Sequence, residues 1–521
     1  MDRVLLTREV RRGLWPFIIF NLRNCQKMEP LTSSTIQLSA ATGFSLMIGM
    51  GLLLLFIALF VKRHLIRNTH DFIISNRRIG LGFGVGSIIS VWTWAMAVMM
   101  SSAMTYQWGL SGLFWFVVPN GLAILAMIPL ARILRRKMPE GYTISQFAHE
   151  RFNRNRIASG VVTLTMIFGV LLEILINLKG TSVVMSTVFP IDWQVATIAT
   201  VVIVLTYAFF GGLWTAVMTG TLNTWMITVP AAIVVVAVYG HFEGGTAAIL
   251  EAIRAQNPED LNVFEPGAAA GFGITLAFGL LAAVVADQTF WQKVWAIKKE
   301  QVTRSFLWAG IFFYPIPIAL GMLGLVGLAL GITTADIGGD VVAIGPYVVA
   351  NIGLPTVLVV TYVVVILAAC FSTIDGASSA LSSIVAVDIV HRVARNIGER
   401  KLFYITKFSI FIGGIIGAVI VLTGADFTSL VLTTYALKTS ILLPLVLAIL
   451  WSRTNTLGFV GGIVLAIAIG MPLREFYGEL VGTLSILAIS GLTVLFAGMA
   501  RAAPETQKIL QGDSLSTSET A

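Results

Sequence analysis

The chain has 521 residues, of which 57% are hydrophobic and 12% are charged. Soluble globular domains contain about 25% charged residues, so this composition excludes a water-soluble protein and indicates an integral membrane protein. The formal net charge of +8 need not imply nucleic-acid binding, because in a membrane protein the distribution of Lys and Arg among the loops is the informative quantity.

Residues 1–41 are predicted to form an N-terminal tail. Its apolar segment, "LWPFIIF" (14–20), is too short to span a bilayer. The predicted topology places this tail on the outer side of the membrane, where basic residues are disfavoured. Six basic side chains precede Met28: Arg3, Arg8, Arg11, Arg12, Arg23 and Lys27. We therefore hypothesise that the mature protein starts at Met28.

Residues 42–499 are predicted to form one transmembrane domain of about thirteen helices, since each apolar stretch is close to the length that crosses the hydrocarbon. The predicted spans are 42–61, 79–107, 111–131, 157–178, 193–211, 221–240, 268–291, 305–331, 356–388, 404–423, 428–451, 457–471 and 478–499. The polar residues 500–521 are predicted to be a disordered cytoplasmic tail.

Loop charge predicts the orientation. The loops at 62–78, 132–156, 293–304 and 391–401 are basic, and they alternate with the acidic loop at 241–267 and with 333–340. Basic loops are retained in the cytoplasm. We therefore expect a multi-pass protein of the plasma (inner) membrane with its N-terminus outside and its C-terminus inside.

One predicted span is unusually rich in hydroxyl groups: "LAACFSTIDGASSALSSI" (367–384). Ala369, Ser372 and Thr373 are spaced i, i+3, i+4 and lie on one helix face. Small and hydroxyl residues in this arrangement either allow close helix packing or supply oxygens to a sodium ion. Asp375 favours the second interpretation, because an intramembrane carboxylate is a functional candidate.

This stretch resembles the eighth core helix of the sodium:solute symporter family. Three other stretches resemble the same family, in its order along the chain: "SIISVWTWAMAVMMSSAMTYQWGLSGLFWF" (87–116), "TYAFFGGLWTAVMTGTLNTW" (206–225) and "ADQTFWQKVWAIKKEQVTRSFLWAG" (286–310). The first and last of these three are similar to its urea-transporter-like branch.

The resemblance implies an all-α membrane protein with the inverted five-plus-five helix repeat of the amino acid–polyamine–cation (LeuT-like) superfold. It also implies a sodium site between a broken first core helix and the eighth, although no Gly or Pro within 90–97 predicts a break. Carried over by position, the sodium ligands are the carbonyls of Ser90, Thr93 and Ala369 and the hydroxyls of Ser372 and Thr373.

The sequence departs from the family pattern at the start of the fifth core helix. Many members of the family have an aspartate there that is linked to a second cation site or to coupling. Gly220 stands at that position here. We therefore predict at most one sodium site of the common type.

Lys438 and Asp375 are the candidate coupling residues. Lys438 lies well inside an apolar span, too far from either face for easy snorkelling. Its ammonium either replaces a cation or pairs with a buried carboxylate such as Asp375 or Glu173. Alternatively, Lys438 lines an aqueous cavity.

The resemblance places the solute pocket near mid-membrane, against the first, third, sixth and tenth core helices. The predicted solute-binding residues are Trp92, Trp94, Ala97, Glu173, Asp287, Gln288 and Tyr435, with Gln107, Asn177 and Trp291 as further candidates. Other roles stay open: Glu173 could pair with Lys179, Asp287 could cap a helix, and Trp291 and Trp295 could anchor at the membrane interface.

Together these observations predict a secondary active transporter, a sodium:solute symporter, that imports a small polar solute, urea or a related small amide, by alternating access. The expected partners are the solute, sodium and the lipid bilayer, with no nucleic acid and no cofactor beyond the coupling ion. The alternatives are a proton-coupled symporter of the same fold, a transporter-like membrane sensor domain and a passive channel. The sequence contains no nucleophile–base arrangement, Walker lysine or metal-ligand cluster that would indicate an enzyme. The two cysteines match no zinc spacing. The sequence leaves the oligomeric state open.

Overall fold

The computed structural model describes residues 38–394, 396–424 and 426–500, with the side chain of Thr428 left out. The hypothesis of a start at Met28 and the predicted tail after residue 500 lie outside these residues. Within them the chain folds into helices joined by loops, without a strand. The predicted all-α class is confirmed.

The first half of the described chain contains eight α-helices: α1 (Ala40–Leu65), α2 (Thr69–Ile74), α3 (Leu81–Trp92), α4 (Ser101–Lys137), α5 (Ile144–Arg151), α6 (Arg156–Val188), α7 (Trp193–His241) and α8 (Gly245–Gln256). Polar residues in the loops start several of them. The Asn155 side chain accepts the N–H groups of Ile157 and Ala158 at 2.9 and 3.0 Å, and so caps α6.

The second half contains α9 (Pro266–Ala268), α10 (Ile274–Val285), α11 (Gln288–Ala296), α12 (Val302–Phe313), α13 (Pro315–Ala329), α14 (Ile344–Asn351), α15 (Thr356–Ile384), α16 (His391–Val393), α17 (Glu399–Leu422), α18 (Phe427–Leu450), α19 (Thr456–Leu465), α20 (Met471–Tyr477) and α21 (Glu479–Ala500). The hydroxyl-rich stretch 367–384 lies wholly within α15.

Eleven helical stretches of the described residues are long and apolar enough to cross a membrane. Two of them bend sharply: the stretch Met96–Lys137 leaves helical geometry at Trp108 and Gly109, and α7 does so at Gly212. The predicted spans 193–211 and 221–240 are the two arms of α7. The exact count of thirteen spans and the orientation of the termini stay predictions.

The bend in α7 depends on a glycine. Gly212 has φ +50°, a conformation that side chains rarely adopt, and an added Cβ would lie 2.8 Å from the ring of Phe72 on α2. Large apolar side chains such as Phe56 on α1 and Val236 on α7 are more than 70% exposed. Such outward-facing apolar surfaces fit a lipid environment.

Two transmembrane helices are broken in the middle. The first ends with α3 at Trp92, leaves helical geometry at Thr93 and Trp94, and resumes through a π-helical turn, Met96–Met100, into α4. The second is interrupted at Ala286 and Asp287, between α10 and α11. The start of α3 is joined to the end of α11, because Ile79 N–H donates to Ala296 O at 3.2 Å and Lys298 N–H donates to Ile79 O at 3.0 Å.

Candidate functional site

A side chain, rather than Gly or Pro, holds the break after α3 open. The N–H of Ala95 donates to Asn177 Oδ1 on α6 at 2.8 Å, whereas a continuous helix would direct it to the Val91 carbonyl. Asn177 is fixed in turn by its own Nδ2, which donates to Glu173 O at 2.8 Å. Asn177, a further solute candidate from the sequence, therefore maintains the break.

The broken helix meets the hydroxyl face of α15 at this point. Ser372 Oγ lies 3.2 Å from Ser90 O and 3.0 Å from Ala369 O, and Thr373 Oγ1 lies 3.1 Å from Ala369 O. The structure thus brings four of the five predicted sodium ligands together. The fifth, Thr93, ends α3 with ψ 71°, which takes its carbonyl out of the helical hydrogen-bond ladder.

These oxygens suit a hard monovalent cation. Carbonyl and hydroxyl oxygens supply partial negative charge without a formal charge, and a hydroxyl that donates one bond keeps its lone pairs. Ser90, Ser372 and Thr373 are all at most 2% exposed. The same hydrogen bonds also join α15 to α3, so both interpretations of this face, cation binding and close packing, are compatible with the geometry.

Asp375 lies one turn further along α15. Its Oδ2 accepts the hydroxyl of Thr219 on α7 at 3.0 Å. Its Oδ1 is buried and has no hydrogen-bond partner among the described residues. The pairing of Lys438 with Asp375 that the sequence left open does not form.

Lys438 of α18 is fully buried and pairs with two other carboxylates. Its ammonium contacts Glu173 Oε1 of α6 and lies 3.4 Å from Asp287 Oδ2, in the break between α10 and α11. It also lies 5.2 Å from the ring centroid of Trp94, a cation–π distance. We call Glu173, Asp287, Lys438 and Trp94 the central cluster.

The central cluster shows which of the roles left open by the sequence Lys438, Glu173 and Asp287 have in the structure. Lys438 has no exposed side-chain surface, so it does not line an open aqueous cavity. Lys179 lies over the ring of Trp193 at 5.3 Å, and Glu173 pairs with Lys438 instead. Asp287 does cap α11, since its Oδ1 accepts Thr289 N–H at 2.7 Å, while its Oδ2 faces Lys438.

A narrow crevice lies beside the central cluster, and it is too tight to hold a water molecule. Its lining contains four predicted solute residues together with Met96, Asn120 and Leu280: Trp92, Trp94, Ala97 and Tyr435. The rings of Trp92 and Trp94 meet edge to face at 5.6 Å. Trp92 Nε1 donates to Asn120 O at 3.2 Å, and the hydroxyl of Tyr435 contacts the sulfur of Met96.

Some predicted candidates lie elsewhere. Gln288 ties α11 to the start of α5, because its Nε2 donates to Tyr142 O and its Oε1 accepts Ile144 N–H. Gln107 is exposed. Trp291 and Trp295 are fully buried with their indole N–H groups bonded to carbonyls, so neither anchors the protein at a membrane interface.

Two residues near the sites were not singled out from the sequence. Asn120 stands inside an apolar span, the same signal that identified Glu173. Its main-chain carbonyl accepts the indole N–H of Trp92, and its side-chain amide donates to Phe116 O at 2.6 Å. Thr219 carries the hydrogen bond to Asp375. It is one of many hydroxyl residues in the spans, so no sequence signal distinguishes it.

Comparison with known proteins agrees with this architecture. The model of the sodium:solute symporter family matches residues 72–465. The urea-proton symporter DUR3 of Oryza sativa subsp. japonica is 22% identical over 484 residues, covering 83% of this chain and 65% of the relative. The probable urea active transporter 1 of Schizosaccharomyces pombe is 25% identical over 316 residues, covering 56% of this chain and 47% of the relative. The chain thus spans about half to two thirds of the length of these relatives.

Solved structures share the fold. A substrate-bound, outward-open Na⁺-coupled sialic acid symporter superimposes with a TM-score of 0.72 at 16% identity, over 87% of this chain and 97% of that one. Mhp1, a nucleobase-cation-symport-1 family transporter in a closed conformation, gives a TM-score of 0.51 at 10% identity, over 84% and 98%. The expected LeuT-like superfold is confirmed.

Proposed function

The chain belongs to the sodium:solute symporter family, and on this basis we propose that it is a secondary active transporter that carries a small polar solute together with a cation. The family relationship indicates a transporter rather than an enzyme. The observation that carries the proposal is the meeting of two helix breaks with α15 and the central cluster. In transporters, ion and solute sites lie at such breaks, because freed backbone groups and half-helix ends can bind ligands there.

We propose sodium as the coupling ion, held by Ser90, Thr93, Ala369, Ser372 and Thr373. The hydroxyl of Ser372 links the carbonyls of Ser90 and Ala369, so a cation at this point would contact α3 and α15 simultaneously. Sodium would then stabilise the conformation in which the two helices are close. Such differential binding is the requirement for coupling.

We propose a small planar amide, with urea as the leading candidate, as the solute. The crevice beside the central cluster is lined by the indole rings of Trp92 and Trp94, which are closed together in this structure. Glu173 and Asp287 provide acceptors for amide N–H groups, and Lys438 provides a donor for a carbonyl oxygen. The named urea transporters among the relatives support the same solute.

Proton coupling is the second candidate. Two carboxylates share the ammonium of Lys438, so the central cluster carries an excess negative charge that a proton would remove. The relative from rice is named a urea-proton symporter, which favours the same ion.

Uptake into proteoliposomes tests the proposal. The full chain is reconstituted, and accumulation of radiolabelled urea is followed under an inward sodium gradient, an inward proton gradient, or neither. Accumulation above the external concentration under a sodium gradient supports the proposal, and accumulation under a proton gradient alone supports the second candidate. Equilibration without accumulation, whatever the gradient, contradicts both. Acetamide and formamide as competitors then define the solute class.

A further inference from the structure

We propose that a groove on the outer surface of the helix bundle, between α6, α15 and α17, binds a phospholipid with an anionic headgroup. None of the residues that line this groove belongs to the proposed ion or solute sites. The inference therefore goes beyond the proposed function and does not depend on which solute or ion is carried. It rests on the dimensions of the groove, on its apolar walls and on two basic side chains at one end.

The groove is large enough for a lipid acyl chain. Its volume is about 840 Å³, within the range of about 300–1,000 Å³ that is typical of ligand sites. Along α17 the lining runs from Arg400 to Ile416, which corresponds to about 24 Å at a rise of about 1.5 Å per residue. This length exceeds half of a hydrocarbon core of about 30 Å. A headgroup and the chain attached to it therefore fit along α17.

The walls of the groove are apolar and one of them is exposed. Phe408 and Ile412 of α17 line it and are 55% and 60% exposed. Gly413 forms the floor, because an added Cβ there would clash with Leu381 of α15 and would lie 3.7 Å from Leu171 of α6. Exposed apolar side chains around a deep groove fit an acyl chain of the surrounding bilayer.

Two basic side chains stand at one end of this apolar groove. Arg400 and Lys401 line it and are exposed, and neither forms an ion pair within the part of the chain that the structure describes. The adjacent carboxylate of Glu399 is directed elsewhere, since its Oε1 accepts the N–H of Thr69 on α2 at 2.9 Å. Arg and Lys side chains are the usual partners of phosphate oxygens. The groove therefore offers a position for a phosphate beside a position for an acyl chain.

A second cleft adjoins the groove at Ile167 and adds positive charge. Its lining contains three arginines and two acidic residues: Arg154, Arg156, Arg392, Glu150 and Asp388. Together with Arg400 and Lys401, five Lys and Arg side chains thus face two carboxylates. The basic loops that carry these residues are expected in the cytoplasm, and the cytoplasmic leaflet is the one that holds anionic lipids. Charge complementarity therefore favours an anionic phospholipid over a zwitterionic one.

Native mass spectrometry of the purified full chain in detergent tests the inference without requiring transport. Phosphatidylglycerol is the anionic probe, and phosphatidylcholine with the same acyl chains is the comparison. We expect phosphatidylglycerol to bind about tenfold more tightly, and Arg400→Gln/Lys401→Gln should weaken it by about tenfold. Lys299→Gln/Arg304→Gln is the matched control, because it removes the same two charges at exposed positions outside the groove.

A second pair of variants tests the position of the acyl chain. Ile412→Trp places a larger ring in the groove and should weaken the binding of both lipids. Ile415→Trp is the control, since Ile415 is 55% exposed on the same helix and does not line the groove. Melting temperatures provide an independent measurement, because a lipid that binds the folded chain raises its stability.

Selective weakening in Arg400→Gln/Lys401→Gln and in Ile412→Trp, with both controls unchanged, supports the inference. If one of these variants does not fold, the other and its control decide. Equal weakening in the two charge variants overturns it, because charge then acts over the whole surface. Equal affinity for the two lipids also overturns it, and so does displacement of phosphatidylglycerol by glycerol phosphate, because the headgroup alone would then suffice. Uptake assays do not enter these outcomes, so failure of the proposed transport function remains distinguishable.

Discussion

Lys438 and Glu173 lie 265 positions apart in the chain and form a fully buried ion pair between α18 and α6. Asp287 joins the pair from the break between α10 and α11. The ammonium thus connects three helices at the level where the first broken helix presents Trp94. A buried pair of this kind stabilises the fold only while both partners are present.

Lys438→Met should strongly destabilise the protein and stop uptake. The variant leaves Glu173 and Asp287 buried without a counterion, which costs about 3–5 kcal/mol in comparable pairs. Thermal unfolding in detergent and a sodium titration of solute uptake provide the measurements. The double variant Lys438→Met/Glu173→Gln should recover part of the stability. An unchanged melting temperature, apparent sodium affinity and rate in Lys438→Met would remove Lys438 from the mechanism.

Ser372→Ala/Thr373→Ala should reduce sodium dependence while the fold is retained. The substitutions remove two hydroxyls but leave the carbonyls of Ser90 and Ala369, so the apparent affinity for sodium should fall about tenfold or more. Sodium-dependent uptake and sodium-induced thermal stabilisation measure this. Ser382→Ala is the control, because that hydroxyl is bonded to Ser379 O further along α15. Full sodium dependence in the double variant would mean that these hydroxyls serve packing only.

Gly220→Ala should destabilise the contact between α7 and α3. The new Cβ would lie 2.9 Å from Ser90 Oγ and 3.3 Å from Ser90 Cβ, so the Ser90 side chain must rotate and α3 must yield by a few tenths of an ångström. Overpacking of this kind costs about 1–3 kcal/mol, against a gain of about 1 kcal/mol from the higher helix propensity of Ala. Gly160→Ala is the matched control, with nothing within 4 Å of its Cβ, and it should be neutral or stabilising. Equal melting temperatures in the two variants would exclude the steric account.

His70 should make the protein less stable in mild acid. Burial, and secondly the nearby Arg77, lower the pKa of His70 below its ordinary value, and its Nδ1 lies 2.8 Å from the hydroxyl of Tyr142. As the pH falls through about 6.5, the unfolded chain therefore binds a proton that the folded chain does not, and stability decreases.

Melting temperatures between about pH 7.5 and 5.5 measure this effect. His70→Gln should flatten the dependence, and His64→Gln, at an exposed position, should follow the wild type. A His70→Gln profile that runs parallel to the wild type would assign the acid sensitivity to other groups.

Much of the architecture was predictable because it depends on local properties of the sequence, the length of apolar stretches and the spacing of polar residues. Apolar length identified the helices, including both arms of α7 and the whole of α15. The spacing of Ala369, Ser372 and Thr373 identified a hydroxyl face that does meet Ser90. The break after α3 was different: no Gly or Pro marks it, and a distant side chain, Asn177, supports it.

The sequence by itself determined that the protein is helical and membrane-embedded, which helix faces are polar, and that Glu173, Asp287, Asp375 and Lys438 stand in apolar surroundings. These properties depend on composition and on the helical period, which are local. Only the tertiary structure decided the partners of these charged groups. Lys438 forms ion pairs with Glu173 and Asp287, and Asp375 accepts a hydrogen bond from the neutral hydroxyl of Thr219. Partners in a buried ion pair are chosen by the packing of helices far apart in the chain, and no local pattern of residues records that choice.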